Sequence, residues 1–161
     1  MLRTAMFSVA MLCLLAASAG ARTGFSFVLR GASQLPPVTT NATGSGTATL
    51  SDVGDTLSIS FLFAGLEGDY TMSHVHGPGD STQSSGLRFT FAPHVTNNLR
   101  GGTCDTMWVL QPDEHTWLAN GLLYINVHSA FAPNGEIRGQ LLGDATPVRR
   151  SSFARIKSLY R

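Results

Sequence analysis

Thr56-Leu57-Ser58-Ile59-Ser60-Phe61-Leu62-Phe63-Ala64 decides the fold class. Leu57, Ile59, Phe61 and Phe63 fall at every second position, with Ser58, Ser60 and Leu62 between them. A period of two puts the four apolar side chains on one face of an extended strand. Ser51-Asp52-Val53-Gly54-Asp55 just upstream has turn chemistry, so Thr47–Leu50 and Thr56–Ala64 read as a hairpin. The same alternation marks Phe25, Phe27 and Leu29, and Gln34-Leu35-Pro36-Pro37 ends it, because neither proline can donate to a sheet ladder. Tyr70 to His76 reads as a strand stopped by Gly77-Pro78-Gly79, and Leu87, Phe89 and Phe91 mark another stopped by Pro93. Residues 94–106 show no period and are expected to form a loop. Trp108–Leu110 reads as a short strand and Pro112 to Leu118 as a turn of helix. Leu122 to His128 and Glu136 to Leu142 are the last strands, separated by a turn at Ala132-Pro133-Asn134-Gly135. Seven or eight short strands between turn signals predict an all-β antiparallel sandwich or barrel.

The two ends of the chain differ from this body. Arg3 precedes an apolar run from Ala5 to Ala17, and Ala19-Gly20-Ala21 supplies small residues. Residues 1–21 therefore read as a secretory signal peptide cleaved before Arg22. The net charge of +1 hides an asymmetry: five basic and ten acidic residues lie between Arg22 and Ala145, and five basic with no acidic residues lie between Thr146 and Arg161. A nucleic-acid-binding fold would carry positive charge on its body, so nucleic acid is not an expected partner. In the basic tail, residues 146–161, Phe153, Ile156, Leu159 and Tyr160 are spaced as on an amphipathic helix. Weak contact with an anionic membrane surface and a frayed terminus are the two readings. Cys13 leaves with the signal, which strands Cys104 alone. A bridge to a partner chain or a buried, inert thiol are its alternatives. Asn41-Ala42-Thr43 matches the N-glycosylation pattern, which has meaning in a eukaryotic host.

Three segments together resemble the CHRD (chordin-type) domain. Phe25 through Arg30, Gly31 and Ala32 to Leu35, Pro36, Pro37 and Val38 resembles that family's opening strand and double-proline segment. His74-Val75-His76-Gly77-Pro78 follows Phe63-Ala64-Gly65-Leu66 at the family's interval. Leu123-Tyr124-Ile125-Asn126-Val127-His128-Ser129, then Pro133-Asn134-Gly135-Glu136-Ile137-Arg138-Gly139-Gln140-Leu141, resembles the closing motif. The resemblance covers residues 22–145 nearly to their end. It implies a secreted protein, and the expected function is a non-catalytic extracellular binding or matrix module with an extracellular protein or glycan as partner; the alternative is a copper- or zinc-binding redox protein using His74, His76 and His128.

The chemistry lies in three histidines. His74 and His76, at i and i+2 on a strand, project to one face. By the same logic His128 sits with Asn126 and Tyr124 on the face opposite Ile125 and Val127. If the two strands meet on that side, three imidazoles converge, a donor set suited to copper or zinc. The other reading is a polar cluster in which the rings bond to Glu136, Asn126 or backbone groups and hold the strands in register. His74-Val75-His76 with Val127-His128 also resembles the copper-ligand pattern of copper/zinc superoxide dismutases, which are Greek-key β-barrels. That resemblance implies His74, His76 and His128 as copper ligands, and a Greek-key fold of the superoxide-dismutase-like or immunoglobulin-like kind. The bridging histidine, the zinc-loop ligands, the intrachain disulfide and the guiding arginine have no counterpart here, so dismutase activity is not expected. His94 and His115 stand alone and read as surface residues. Glu136 and Arg138 share a strand face and read as a surface ion pair worth less than about 1 kcal/mol. No nucleophile elbow, phosphate loop or zinc-protease helix motif is present.

Overall fold

The computed structural model describes residues 24–91, 94–97 and 99–143. The expected signal peptide and basic tail lie outside them. Among the described residues ten strands, one α-helix and one 3-10 turn (Gly31–Ser33) occur: β1 (Gly24–Arg30), β2 (Thr43–Leu50), β3 (Thr56–Ala64), β4 (Tyr70–His76), β5 (Leu87–Thr90), β6 (Val95–Asn97), β7 (Gly102–Val109), α1 (Pro112–Ala119), β8 (Tyr124–Ser129), β9 (Ile137–Gln140) and β10 (Leu142–Gly143). Every pairing is antiparallel, in the order β5-β4-β8-β9-β1-β2-β3-β7-β6, with β10 also paired to β1. The sheet curls so that its ends face each other. Phe89 of β5 stacks on Trp108 of β7 at 5.7 Å between ring centroids, and Phe91 meets Phe61 of β3 edge-on at 5.1 Å. The fold is the expected antiparallel all-β type, here a half-barrel.

The alternation in β3 does what its period requires: Leu57, Ile59, Phe61 and Phe63 are buried and the residues between them are not. They join Phe25, Phe27 and Leu29 of β1 and Val75, Ile125, Val127 and Ile137 of the other half in one core. Burying a side chain of this size stabilises by about 1.5–3 kcal/mol. The hairpin partner β2 is longer than predicted, beginning at Thr43, and its first two inward positions are Gly44 and Gly46. A Cβ on Gly46 would lie 2.4 Å from the Ser60 carbonyl oxygen and 2.5 Å from both Phe27 Cζ and Phe61 Cβ. The absent side chain lets two aromatic rings from the flanking strands meet over β2, 6.2 Å apart.

Residues 94–106 are not the expected loop. They hold β6 and most of β7, which pairs with β3 in eight register positions from Thr56↔Val109 to Phe63↔Gly102. The inward positions of β7 include Cys104 and Trp108, while Met107 and Val109 face out at 69% and 62% exposure. Pairing with β3, rather than its own hydrophobic period, fixes this strand. The helix extends one residue past expectation. Pro112 occupies its first turn, and the Glu114 carboxylate accepts the Gln111 amide at 2.7 Å.

Candidate metal centre

The outer side of β4 and β8 carries the site. The register pairs His76 with Tyr124, His74 with Asn126 and Met72 with His128. Directly opposed residues of an antiparallel pair project to the same side, so the three histidines and Tyr124, Asn126 and Met72 form one lattice. The face is not open. All six residues of β8 are buried, because loops cover the polar side as the core covers the apolar one. His128 is buried and His74 and His76 are half-buried. One ring nitrogen from each histidine lies within 4.8 Å of the others.

Hydrogen bonds decide which nitrogens face the centre. His76 Nδ1 lies 3.0 Å from the Ser85 carbonyl oxygen and His128 Nδ1 lies 2.8 Å from the Pro133 carbonyl oxygen. A carbonyl only accepts, so both rings carry their proton on Nδ1 and present a bare Nε2. His74 Nδ1 lies 3.2 Å from His128 Nε2 and donates to it. His76 Nε2 is buried and has no partner. Neither Glu136 nor the Asn126 side chain bonds these rings, so the polar-cluster reading holds only in its backbone form. Burial disfavours the charged form of all three rings. Burial, reinforced by the His128 and His76 rings, lowers His74 from 6.5 to about 4. Burial also lowers His76 and His128, against the raising effect of the carbonyls they bond.

The supporting shell comes largely from segments without a sequence period. Tyr124 stacks on His76 at 5.1 Å with the planes 8° apart, and its hydroxyl accepts the Ser85 amide at 2.9 Å. The Arg138 guanidinium sits 3.5 Å over the Tyr124 ring and donates to the carbonyls of Asp80 (2.6 Å) and Gln83 (2.9 Å). Gln140 donates to the carbonyls of Gly79 and Gly121. β9 thus ties down the loop that presents Ser85 to His76. On the other side, the turn bearing Pro133 closes through Gly135, whose φ of +117° favours glycine. A Cβ there would also lie 2.5 Å from Asn126 Nδ2 and Gln34 Nε2.

Glu136 and Arg138 do not form the expected surface ion pair. Both are buried, at 0% and 2% exposure, and they serve different networks. Glu136 accepts from Thr40 Oγ1 (2.6 Å), the Glu67 amide (2.9 Å) and Ser129 Oγ. One carboxylate therefore links the β1–β2 connection, the β3–β4 connection and the end of β8. Cys104 is 1% exposed in β7, and burial pushes its thiol up to about 12. The thiol is enclosed in the core while β7 stays paired. Asn41 is exposed, its amide 3.5 Å from Glu67 Oε1. His94 is exposed and stacks on Phe89, whereas His115 is half-buried.

The sequence model of the CHRD domain matches residues 25–141, from the second residue of β1 to the residue after β9. The chain belongs to the CHRD family. The match takes in all three site histidines and both buried charges of the closing motif. Searches of curated proteins and of solved structures find no match. CHRD domains occur in extracellular proteins, and no helix among the described residues is long and apolar enough to cross a membrane.

Proposed function

We propose that this CHRD domain is an exported, non-catalytic binding module that holds one copper or zinc ion on His74, His76 and His128. The observation that carries the reading is the unpartnered, buried Nε2 of His76, in a cluster where one ring nitrogen from each of His74, His76 and His128 lies within 4.8 Å of the others. An orphaned buried acceptor is costly in a finished polar network, and a cation supplies what it lacks. The donor chemistry fits, since neutral imidazole nitrogen suits both ions. The anchoring also fits: metal-bound histidines characteristically donate their second nitrogen to a carbonyl or carboxylate, as His76 and His128 do here to Ser85 and Pro133. Two donors about 2.0–2.1 Å from a tetrahedral ion lie about 3.3 Å apart, and the His74–His128 contact is 3.2 Å. For His74 to ligate, its proton moves from Nδ1 to Nε2, which costs no net charge.

Calorimetric titration of the metal-free domain with Cu(II) and with Zn(II) tests this. One equivalent should bind per chain for at least one of them, and His76→Ala should weaken it by about 100-fold or more. No stoichiometric binding of either ion overturns the proposal. Export is tested separately, by N-terminal sequencing of the protein recovered from culture medium, which should begin at Arg22. The bound ion leaves the partner open, and an extracellular protein or glycan remains the class expected for such a module.

A further inference from the structure

We propose that Met72 is a fourth donor to the His74/His76/His128 site and makes that site selective for copper in its cuprous state. The inference rests on the metal-binding reading above and names its ion. Its basis is a local irregularity in β4. Tyr70 pairs with Ser129 and Met72 with His128, so the register slips by one residue between them. In a regular strand, residues 70 and 72 would share a face. Here Tyr70 turns inward, stacked on Phe63 at 5.3 Å with its hydroxyl bonded to Ser73, and Met72 turns outward at 41% exposure. A bulge of this kind re-aims a side chain. In this chain it puts a thioether in line with His74 and His76 and directly across from His128.

Reach and chemistry agree with that placement. Cβ atoms of directly opposed residues lie about 4.5–5.5 Å apart, and methionine has three rotatable bonds with which to cover the distance. Met72 is also the exposed member of the lattice, on the solvent side of a site in which loop carbonyls hold His76 and His128. A soft thioether with imidazoles selects Cu(I), whereas zinc sites draw on imidazole, thiolate and carboxylate. Charge argues the same way. All the candidate donors are neutral, so nothing in the set offsets the charge of a bound ion. The fixed cation Arg138 already lies over Tyr124, which stacks on His76. Desolvation penalises a dication more than a monocation in such surroundings.

The test compares the full chain with its Met72→Leu variant, which keeps volume at a partly exposed position. Cu(I) affinity is measured by competition with a chromophoric chelator, Zn(II) affinity by calorimetry, and the copper ligands by X-ray absorption on Cu(I)-loaded protein. We expect Cu(I) binding to weaken by about tenfold or more in Met72→Leu, with Zn(II) binding within about twofold of wild type. Sulfur scattering should be present in the wild type and absent from the variant. Equal Cu(I) affinity in both proteins with nitrogen-only scattering overturns the role of Met72 and leaves the histidine site standing. A wild-type protein that binds neither ion overturns both.

Discussion

Replacing Glu136 with alanine removes the acceptor for three donors: Thr40 Oγ1, the Glu67 amide and Ser129 Oγ. Thr40 is half-buried and can turn to water, but Ser129 is fully buried. Hydrogen bonds to a charged group contribute about 1.5–3 kcal/mol each, and a buried donor left unsatisfied costs about 1–3 kcal/mol. Counting two orphaned donors, and setting against them the relief of no longer burying a carboxylate, the net loss is about 3 kcal/mol. That is a large share of the roughly 5–15 kcal/mol that holds a domain folded. With a urea slope of about 2 kcal/mol per molar, the unfolding midpoint should fall by about 1.5 M. Glu136→Gln keeps a carbonyl oxygen for Thr40 and Glu67, and its amide can donate to Ser129 Oγ, which already accepts the Ala132 amide at 3.2 Å. Its loss should be about 1 kcal/mol. Equilibrium urea unfolding followed by Trp108 and Trp117 fluorescence reads both. A midpoint shift below about 0.5 M for alanine, or a larger loss for glutamine than for alanine, would refute the view that this carboxylate joins three connections.

Three further outcomes follow from the same structure. Gly46→Val should cost about 3 kcal/mol or more in the same assay, because the new Cβ meets the Ser60 carbonyl, Phe27 and Phe61 within 2.5 Å; a loss under about 1 kcal/mol would contradict the packing. In metal-free protein the folded-state pKa of His74 is lowered to about 4 from 6.5, so on acidification the unfolded chain takes up the proton first. Stability should fall between about pH 6.5 and pH 4 and level off below, by at most about 3 kcal/mol from His74 and nearer 1 kcal/mol after solvent screening of a half-exposed ring. Midpoints flat across that window would contradict the desolvated site. The Cys104 thiol should react with Ellman's reagent only on unfolding, and immediate reaction of the native protein would contradict its burial in β7.

The legibility of this chain tracks how local each determinant is. The period of two in β3, and the projection of His74 and His76 to one side, are properties of consecutive residues, and both were readable from them. So was the face of β8 on which His128 lies. That β4 and β8 are neighbours is a long-range fact, and no local pattern says which strands pair. β7 escaped because its inward Cys104 and Trp108 are outnumbered by polar residues and its outward Met107 and Val109 are apolar. β2 escaped in part because Gly44 and Gly46 carry no hydrophobic signal, although their emptiness is what admits the aromatic rings. Glu136 and Arg138 looked like a surface pair because strand parity places them together. Half of their hydrogen-bond partners are backbone groups of distant loops, which have no signature in a sequence. The same holds for the Ser85 and Pro133 carbonyls that fix the ring tautomers. The shift that turns Met72 toward the histidines is visible only once Tyr70 and Met72 are seen to pair out of step with β8.

The most direct test of the account is long-range nitrogen–proton correlation NMR of the histidine rings during titration with diamagnetic Zn(II). Before metal, His76 and His128 should both show the Nδ1-protonated tautomer. At one equivalent the resonances of His76 Nε2, His128 Nε2 and His74 Nδ1 should move together, while those of His94 and His115 stay in place. Ring resonances of His74, His76 and His128 that do not change at saturating zinc, or that begin in the opposite tautomer, would contradict it.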